Sequence, residues 1–310
     1  MSKPRRSQRD VDGILLLDKP LGVSSNAALQ QARAIFEARK AGHAGSLDPL
    51  ASGLLPLCFG QATKVCGRLL DAGKSYLVDV QLGARTESLD GETEVVERAA
   101  IPPLTDASVD AVLAGFLGEQ QQVPPMHSAL KHQGKRLYEL ARRGESVDRA
   151  ARRIVIHRIE RRDLRGDRLI FEVGCSKGTY IRSLAADIAA RLGTLGYLAG
   201  LRRLTVDPFD GHPMRTLEEL AAAREQGSAA LDALLLGADI AFADLDKVVL
   251  DREASDRLLL GQSAPTAWPG VAGQTLRAYD GGGRFLGLVK GLAGDRVQPL
   301  RLFVPAADAV

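Results

Sequence analysis

Residues 42–53 read GHAGSLDPLASG, a stretch whose only carboxylate is Asp48. A lone acid among glycines, leucines and a proline has two chemical readings. It can cap a helix, since Asp accepts hydrogen bonds from a first turn and proline suits the position after it. On that reading LASGLL (50–55) is a short helix. Alternatively it is a reactive carboxylate, buried and kept ionised by a cation from elsewhere in the chain. Arg182 in GTYIRS is a candidate for that cation, because it follows a strand end and opens a helix beside Ile181 and Leu184. Other chemistry finds less support. GCSKG (174–178) has the form of a nucleophile elbow, but the only histidine after Ser176 is His212, in FDGHPM, and the remaining hydrolase pattern is missing. His43, His127, His132, His157 and His212 are scattered, and Cys58, Cys66 and Cys175 make no CxxC, so no metal site is expected. Neither GxGxxG nor GxxxxGK[ST] occurs, so no nucleotide cofactor is expected either.

The length of 310 residues suits one large domain with a small one, and 45% hydrophobic residues suffice for a core. No apolar run is long enough to span a membrane, and the basic start MSKPRRSQRDVDG lacks the apolar segment of a secretory signal. Three unpaired cysteines fit a reduced, cytosolic protein. The net charge is only +3, yet residues 131–168 hold thirteen Lys and Arg against six Asp and Glu. That excess of seven makes the rest of the chain net acidic. A concentrated basic stretch is what a polyanion-binding face looks like, with a solvated arginine-rich surface as the alternative.

The elements that must position these residues follow from periodicity. GILLLDKP (13–20) is a strand, and residues 24–40 are a serine-capped helix with apolar residues at 28, 29, 32, 35 and 36. KSYLVDVQLG (74–83) alternates as a strand, and 105–118 is an amphipathic helix. Residues 123–144 begin Pro-rich and irregular and end in a short basic helix. RIVIHRIERRDLRGDRLIFEVGC (153–175) is a hairpin about an Arg-Gly-Asp turn, followed by a helix over 178–193 and another over 216–237. The last 65 residues or so carry short strands, including a hairpin about Gly281–Gly283 and a final QPLRLFV, and read as a small β-barrel. The fold class is therefore α+β, with a mixed, mainly antiparallel sheet, flanking helices and a separate C-terminal domain.

GHAGSLDPLASGLLP, with DKPLGVSS before it and KSYLVDVQLGARTESLDGE after it, resembles the TruB family of tRNA pseudouridine-55 synthases. VPPMHSALKHQGKRLYELARRG, CSKGTYIRSLAADIAARLG and LAGLRRL resemble its later motifs in the same order, so the likeness covers essentially the whole chain. The resemblance implies the pseudouridine synthase fold over 13–245, a basic tail over 1–12 and a PUA-like RNA-binding domain over 246–310. It implies the isomerisation of uridine 55, in a tRNA T-arm stem-loop, to pseudouridine, with no cofactor. Asp48 becomes the catalytic carboxylate, which attacks C1′, adds to C6 or takes the C2′ proton; these routes stay open. Arg182 becomes its ion-pair partner in an apolar pocket, Tyr76 the ring that stacks on the base and helps remove the C5 proton, and Leu201 an apolar wall; Tyr180 is assigned to packing. His43 is placed against RNA, Lys19 near the active site, and Lys131, Lys135, Arg136, Arg142 and Arg143 on phosphates within an RNA-clamping insertion, 124–152. Ala44 and Ser46 stand where threonines are common in the family, and His127 where tyrosine is usual. A monomer acting without guide RNA or protein partner is expected, against a guide-dependent relative and an RNA-folding helper as alternatives.

Overall fold

The structure, a computed structural model, describes residues 8–128, 130–132, 134–141, 143–145, 147–270 and 272–303, with only the backbone of Lys131, His132, Lys135, Arg136 and Tyr138. Its main sheet has eight strands: β1 (Gly13–Lys19), β2 (Ala41–His43), β3 (Ala51–Phe59), β4 (Lys74–Leu82), β5 (Gly118–Gln122), β6 (Arg152–Arg165), β7 (Arg168–Cys175) and β8 (Gly196–Val206). The order is β1-β3-β8-β4-β7-β6-β5, with β2 added to β3. All pairings are antiparallel except β3 with β8. The mixed, mainly antiparallel sheet matches the expectation from sequence.

Two central strands were not expected. LASGLL is not a helix: it enters β3, almost every residue of which is buried. A strand covered on both faces reads as a continuous apolar run rather than an alternation, which is why its period misleads. Asp48 accordingly caps nothing, and its backbone carbonyl closes a turn onto the Ala51 N–H at 3.0 Å. β8, GYLAGLRRLTV, is masked by its glycines and paired arginines.

β3 has a divided edge. Its first residues pair in parallel with β8, Ala51 to Leu201 and Gly53 to Arg203, while its last pair with β2, His43 to Leu57. Gly53 has φ +97°, and a Cβ there would sit 2.2 Å from the Arg203 carbonyl, so only glycine allows this approach.

Helix α1 (Ser25–Phe36) starts at Ser24, whose hydroxyl accepts from Ala27 N–H, and buries Ala28, Leu29, Ala32 and Phe36. Helices α2 (Cys66–Asp71), α3 (Asp106–Ala114) and α4 (Leu137–Ala141) follow, then α5 (Ile181–Arg191). α5 lacks a side-chain cap of its own. Gln122 replaces it from across the sheet, accepting from Tyr180 N–H at 2.8 Å and donating to Tyr180 O at 3.0 Å. The helix expected over 216–237 is split at Gly227, φ +109°, into α6 (Leu217–Glu225) and α7 (Ser228–Asp232).

The C-terminal part is a five-stranded sheet with α8 (Arg252–Leu259) against it. Its strands are β9 (Lys247–Leu250), β10 (Ala264–Pro265), β11 (Thr275–Asp280), β12 (Phe285–Leu292) and β13 (Arg296–Leu302). Their order, β9-β11-β12-β13-β10, makes an open, half-barrel sheet where a barrel was expected. This sheet shares a core with the large one: Phe242, Phe285 and Phe303 stack on one another and join Ile14, Leu16, Val206 and Phe209. Lys64 and Arg68 add cation–π contacts to Phe303 and Phe242.

A shared core makes the two parts unfold together. Trp268, the chain's one tryptophan, lies in the C-terminal part, so its fluorescence and far-UV circular dichroism are expected to report one urea transition. Phe242→Ala, expected to cost about 3–5 kcal/mol, should separate the two probes.

Candidate active site

The loop from Gly45 to Leu50 carries Asp48 and is pinned at several points. Ser25 Oγ donates to Leu47 O at 2.9 Å and accepts from Leu47 N–H at 2.7 Å. Gly22 N–H donates to Pro49 O at 2.8 Å, and Ala44 N–H to Pro56 O at 3.0 Å. Serine at position 25 thus does two jobs: it opens α1 and ties the loop to it. The result is a loop with little freedom, holding one carboxylate over an open cleft.

That cleft, about 700 Å³, is lined by Asp48, Tyr76, Tyr180, Arg182, Leu201, His43 and His127 among others. The structure therefore brings together five residues singled out around Asp48: His43, Tyr76, Tyr180, Arg182 and Leu201. Leu201 stands where β3, β8 and β4 meet, paired with Ala51 on one side and Val78 on the other. Tyr76 is buried on β4, opposite Arg203 of β8 and Val173 of β7. Burial pushes its phenol above the ordinary tyrosine value, with Arg203 partly opposing the shift. Lys19 is fully buried behind the cleft, donating to Pro20 O at 2.9 Å and Val23 O at 2.5 Å. Burial lowers its ammonium, and the Asp48 charge nearby partly restores it.

The electrostatics around Asp48 differ from the expected buried pair. Its side chain is 58% exposed and stands 3.6 Å from Arg182 Nη2. Arg182 is mainly held elsewhere: Nη1 donates to Asp90 Oδ2 at 2.8 Å and to Ser88 O at 3.3 Å, while Nη2 donates to His127 O at 2.5 Å. Asp90 is 4% exposed, and its other oxygen accepts from Ser88 Oγ at 2.6 Å and Glu92 N–H at 3.0 Å. Arg182 is thus a cation neutralised from behind and still offering an edge to Asp48. Asp90 was missed in sequence because SLDGE has the composition of a solvated turn.

The basic stretch divides in two. Arg158, Arg162 and Arg165 meet carboxylates within the β6–β7 hairpin, while Arg153 meets Glu119 of β5, Arg161 meets Asp106 and Asp110 of α3, and Arg168 meets Asp79 of β4. That half is an ion-paired surface. In the other half, Arg142 lies outside the described residues, the side chains of Lys131, Lys135 and Arg136 are not described, and Arg143 is exposed beside Glu145 at 3.3 Å. Among the described residues no group of His, Cys, Asp or Glu forms a metal site, and no helix is long and apolar enough to cross a membrane.

Known proteins share this architecture. The model of the TruB family pseudouridylate synthase N-terminal domain matches residues 33–181, and that of the tRNA pseudouridylate synthase B C-terminal domain matches 182–243. The chain is 46% identical over 308 residues to the tRNA pseudouridine synthase B of Chromohalobacter salexigens, covering 98% of each. It is 45% identical to that of Methylobacillus flagellatus over 304 residues, covering 98% of this chain and 99% of the other. Among solved structures, a Cbf5-Nop10-Gar1 complex superposes with TM-score 0.72 at 26% identity, covering 96% of this chain and 86% of that one. An H/ACA RNP bound to a substrate RNA containing 2′-deoxyuridine gives 0.71 at 22%, covering 99% and 94%, a likeness of fold.

Two outcomes follow from the site's electrostatics. Asp90→Ala removes the buried counter-charge of Arg182, and single-turnover rates are expected to fall about 10²-fold, the scale of losing one preorganised contact, with RNA affinity little changed in filter binding. His43 is held below the usual histidine value, first by burial and second by the charge of Arg203. The unfolded chain therefore takes up this proton first as pH drops through ~6.5, and stability falls from there downward. His43→Gln should flatten that acid-side fall in thermal midpoint, measured by calorimetry.

Proposed function

Since the chain belongs to the TruB family of pseudouridylate synthases, we propose that it isomerises uridine 55 in the T-loop of tRNA to pseudouridine. The observation that carries this reading is Asp48 held rigidly at a cleft with Arg182, Tyr76 and Leu201 on its walls. The N1–C1′ bond breaks, the uracil turns, C5 bonds to C1′, and the C5 proton is lost while N1 gains one. Nothing is oxidised or added, which suits a site built from one carboxylate, one guanidinium, aromatic rings and an aliphatic wall.

Attack at C1′, addition to C6 and removal of the C2′ proton all require an ionised Asp48. Arg182 presents an edge of its guanidinium 3.6 Å from that carboxylate, and its tether to Asp90 limits how closely the pair can collapse in the absence of RNA. Tyr76, its phenol raised above the ordinary tyrosine value by burial, is the ring that stacks on the target base and helps remove the C5 proton. Leu201 confines the detached uracil. The target base leaves its stack to reach the cleft, at a cost of a few kcal/mol, and His43 at the cleft's rim faces the loop it leaves. The described Nδ1 of His43 is buried without a hydrogen-bond partner, which suits a group that meets RNA.

The insertion at 124–152 is the phosphate clamp in this reading, through Lys131, Lys135, Arg136, Arg142 and Arg143. The part from 246 onward is a PUA-like RNA-binding domain; its half-barrel sheet supports that assignment. The protein acts in the cytoplasm as a monomer, on tRNA alone. Near-complete coverage of the bacterial relatives at about 45% identity supports independence from guide RNA more than the more distant H/ACA likeness supports dependence.

The purified protein, given a T-arm hairpin tritiated at C5 of the target uridine, is expected to release tritium without any guide. Release only with a guide RNA and partner proteins would move it to the guide-dependent class, and equal release by Asp48→Asn would refute the carboxylate's role. Asp48→Asn should still bind the hairpin, whereas Arg143→Ala should bind more weakly with a salt slope reduced by about one.

A further inference from the structure

Arg203 is 1% exposed, the largest side chain buried so completely. Among the described residues it forms no ion pair. Its partners are backbone carbonyls: Nε donates to Leu54 O at 2.6 Å and Nη2 to Gly45 O at 3.0 Å. Burying a guanidinium without a counter-charge is costly, and an aliphatic side chain would pack there more cheaply. That cost points away from packing and toward the site the residue adjoins.

The geometry is specific. Gly45 and Leu54 bracket the segment that carries Asp48, one on each side, and both are fastened to the same side chain. A Cβ on Gly45 would lie 3.4 Å from Nη1, so the loop backbone rests directly on the guanidinium. Arg203 lies across from Tyr76 in the β8–β4 register and beside Gly53 in the β3–β8 register. Burial lowers the guanidinium's affinity for its proton, and the Tyr76 phenol across the register partly opposes that. One buried cation therefore spans the divided edge of β3, where the β-sheet hydrogen bonds between β3 and β8 stop and those to β2 have not begun.

We propose that Arg203 is a positioning residue, whose guanidinium holds segment 45–54 and the ring of Tyr76 in one fixed relation, so that carboxylate and ring meet the same uridine. The proposal rests on the functional reading above for its chemistry, but the clamp itself is a property of the fold.

Arg203→Lys and Arg203→Met test it beside the wild-type protein. Hairpin affinity by filter binding and single-turnover tritium release are measured separately, with amide exchange of peptides covering 44–54. Affinity is expected to stay within about threefold while the rate falls about 10²-fold in Arg203→Met, the scale of an ångström-sized misplacement. Arg203→Lys, which keeps the charge and one donor direction, should lie between. Exchange over 44–54 should quicken while that of α1 and α5 is unchanged. A folded Arg203→Met with wild-type rate, a proportional loss of affinity and rate, or unaltered exchange over 44–54 would each overturn the proposal. So would failure of both variants to fold, which would make Arg203 a core residue only. If the wild-type protein itself releases no tritium, the functional reading falls, and the exchange result alone decides whether the clamp exists.

Discussion

Everything at the cleft depends on one short parallel pairing, Ala51–Gly53 against Leu201–Arg203, inside an otherwise antiparallel sheet. Parallel neighbours cannot be joined by a tight turn, so the chain between them must make a long excursion. Here the excursion comprises most of the large domain, and its elements return to surround the junction. Leu201 and Arg203, two residues apart, leave the junction on the same face of the sheet, Leu201 lining the cleft and Arg203 buried under the Gly45 backbone. Asp48 precedes it by a single turn. A glycine at position 53 is required because the two backbones come closer than any Cβ allows.

The second constraint is electrostatic. In the proposed reaction the carboxylate cannot be locked in a tight bidentate pair, yet it gains from a cation close by. The structure separates those demands between two acids. Asp90, buried and saturated with hydrogen bonds, neutralises and orients Arg182. Asp48, exposed and 3.6 Å away, feels the same charge without being captured by it. Removing one partner of a buried pair is far costlier than loosening an exposed contact, so Arg182 stays fixed while Asp48 is free to act.

Much of this was legible in the sequence where local signals are strong. The Ser24 cap, the 74–83 alternation and the Arg-Gly-Asp hairpin all announce elements that the structure contains. Local reading failed where tertiary burial overrides pattern. β3 hides its strand character because both faces are covered, and Asp48 before proline imitates a helix cap. Arg182 was visible as a cation, but its true anchor was not, since Asp90 is distant in sequence and sits in a turn-like motif. Arg203 reads as one of two adjacent arginines in GLRRL. Only the pleat, which turns Arg202 to Asp18 and Arg203 to the interior, tells them apart.

The arginines of residues 152–168 show why charge counts alone mislead. Once six of them are matched with carboxylates on the hairpin and on the elements beside it, little net field remains there to draw a polyanion. The preceding segment contributes the His127 carbonyl to Arg182 at 2.5 Å. Three acceptors thus fix this guanidinium: Asp90 Oδ2 and Ser88 O on one side, set in a buried network, and His127 O on the other. The segment that carries His127 and the loop that carries Asp48 therefore meet at a single side chain.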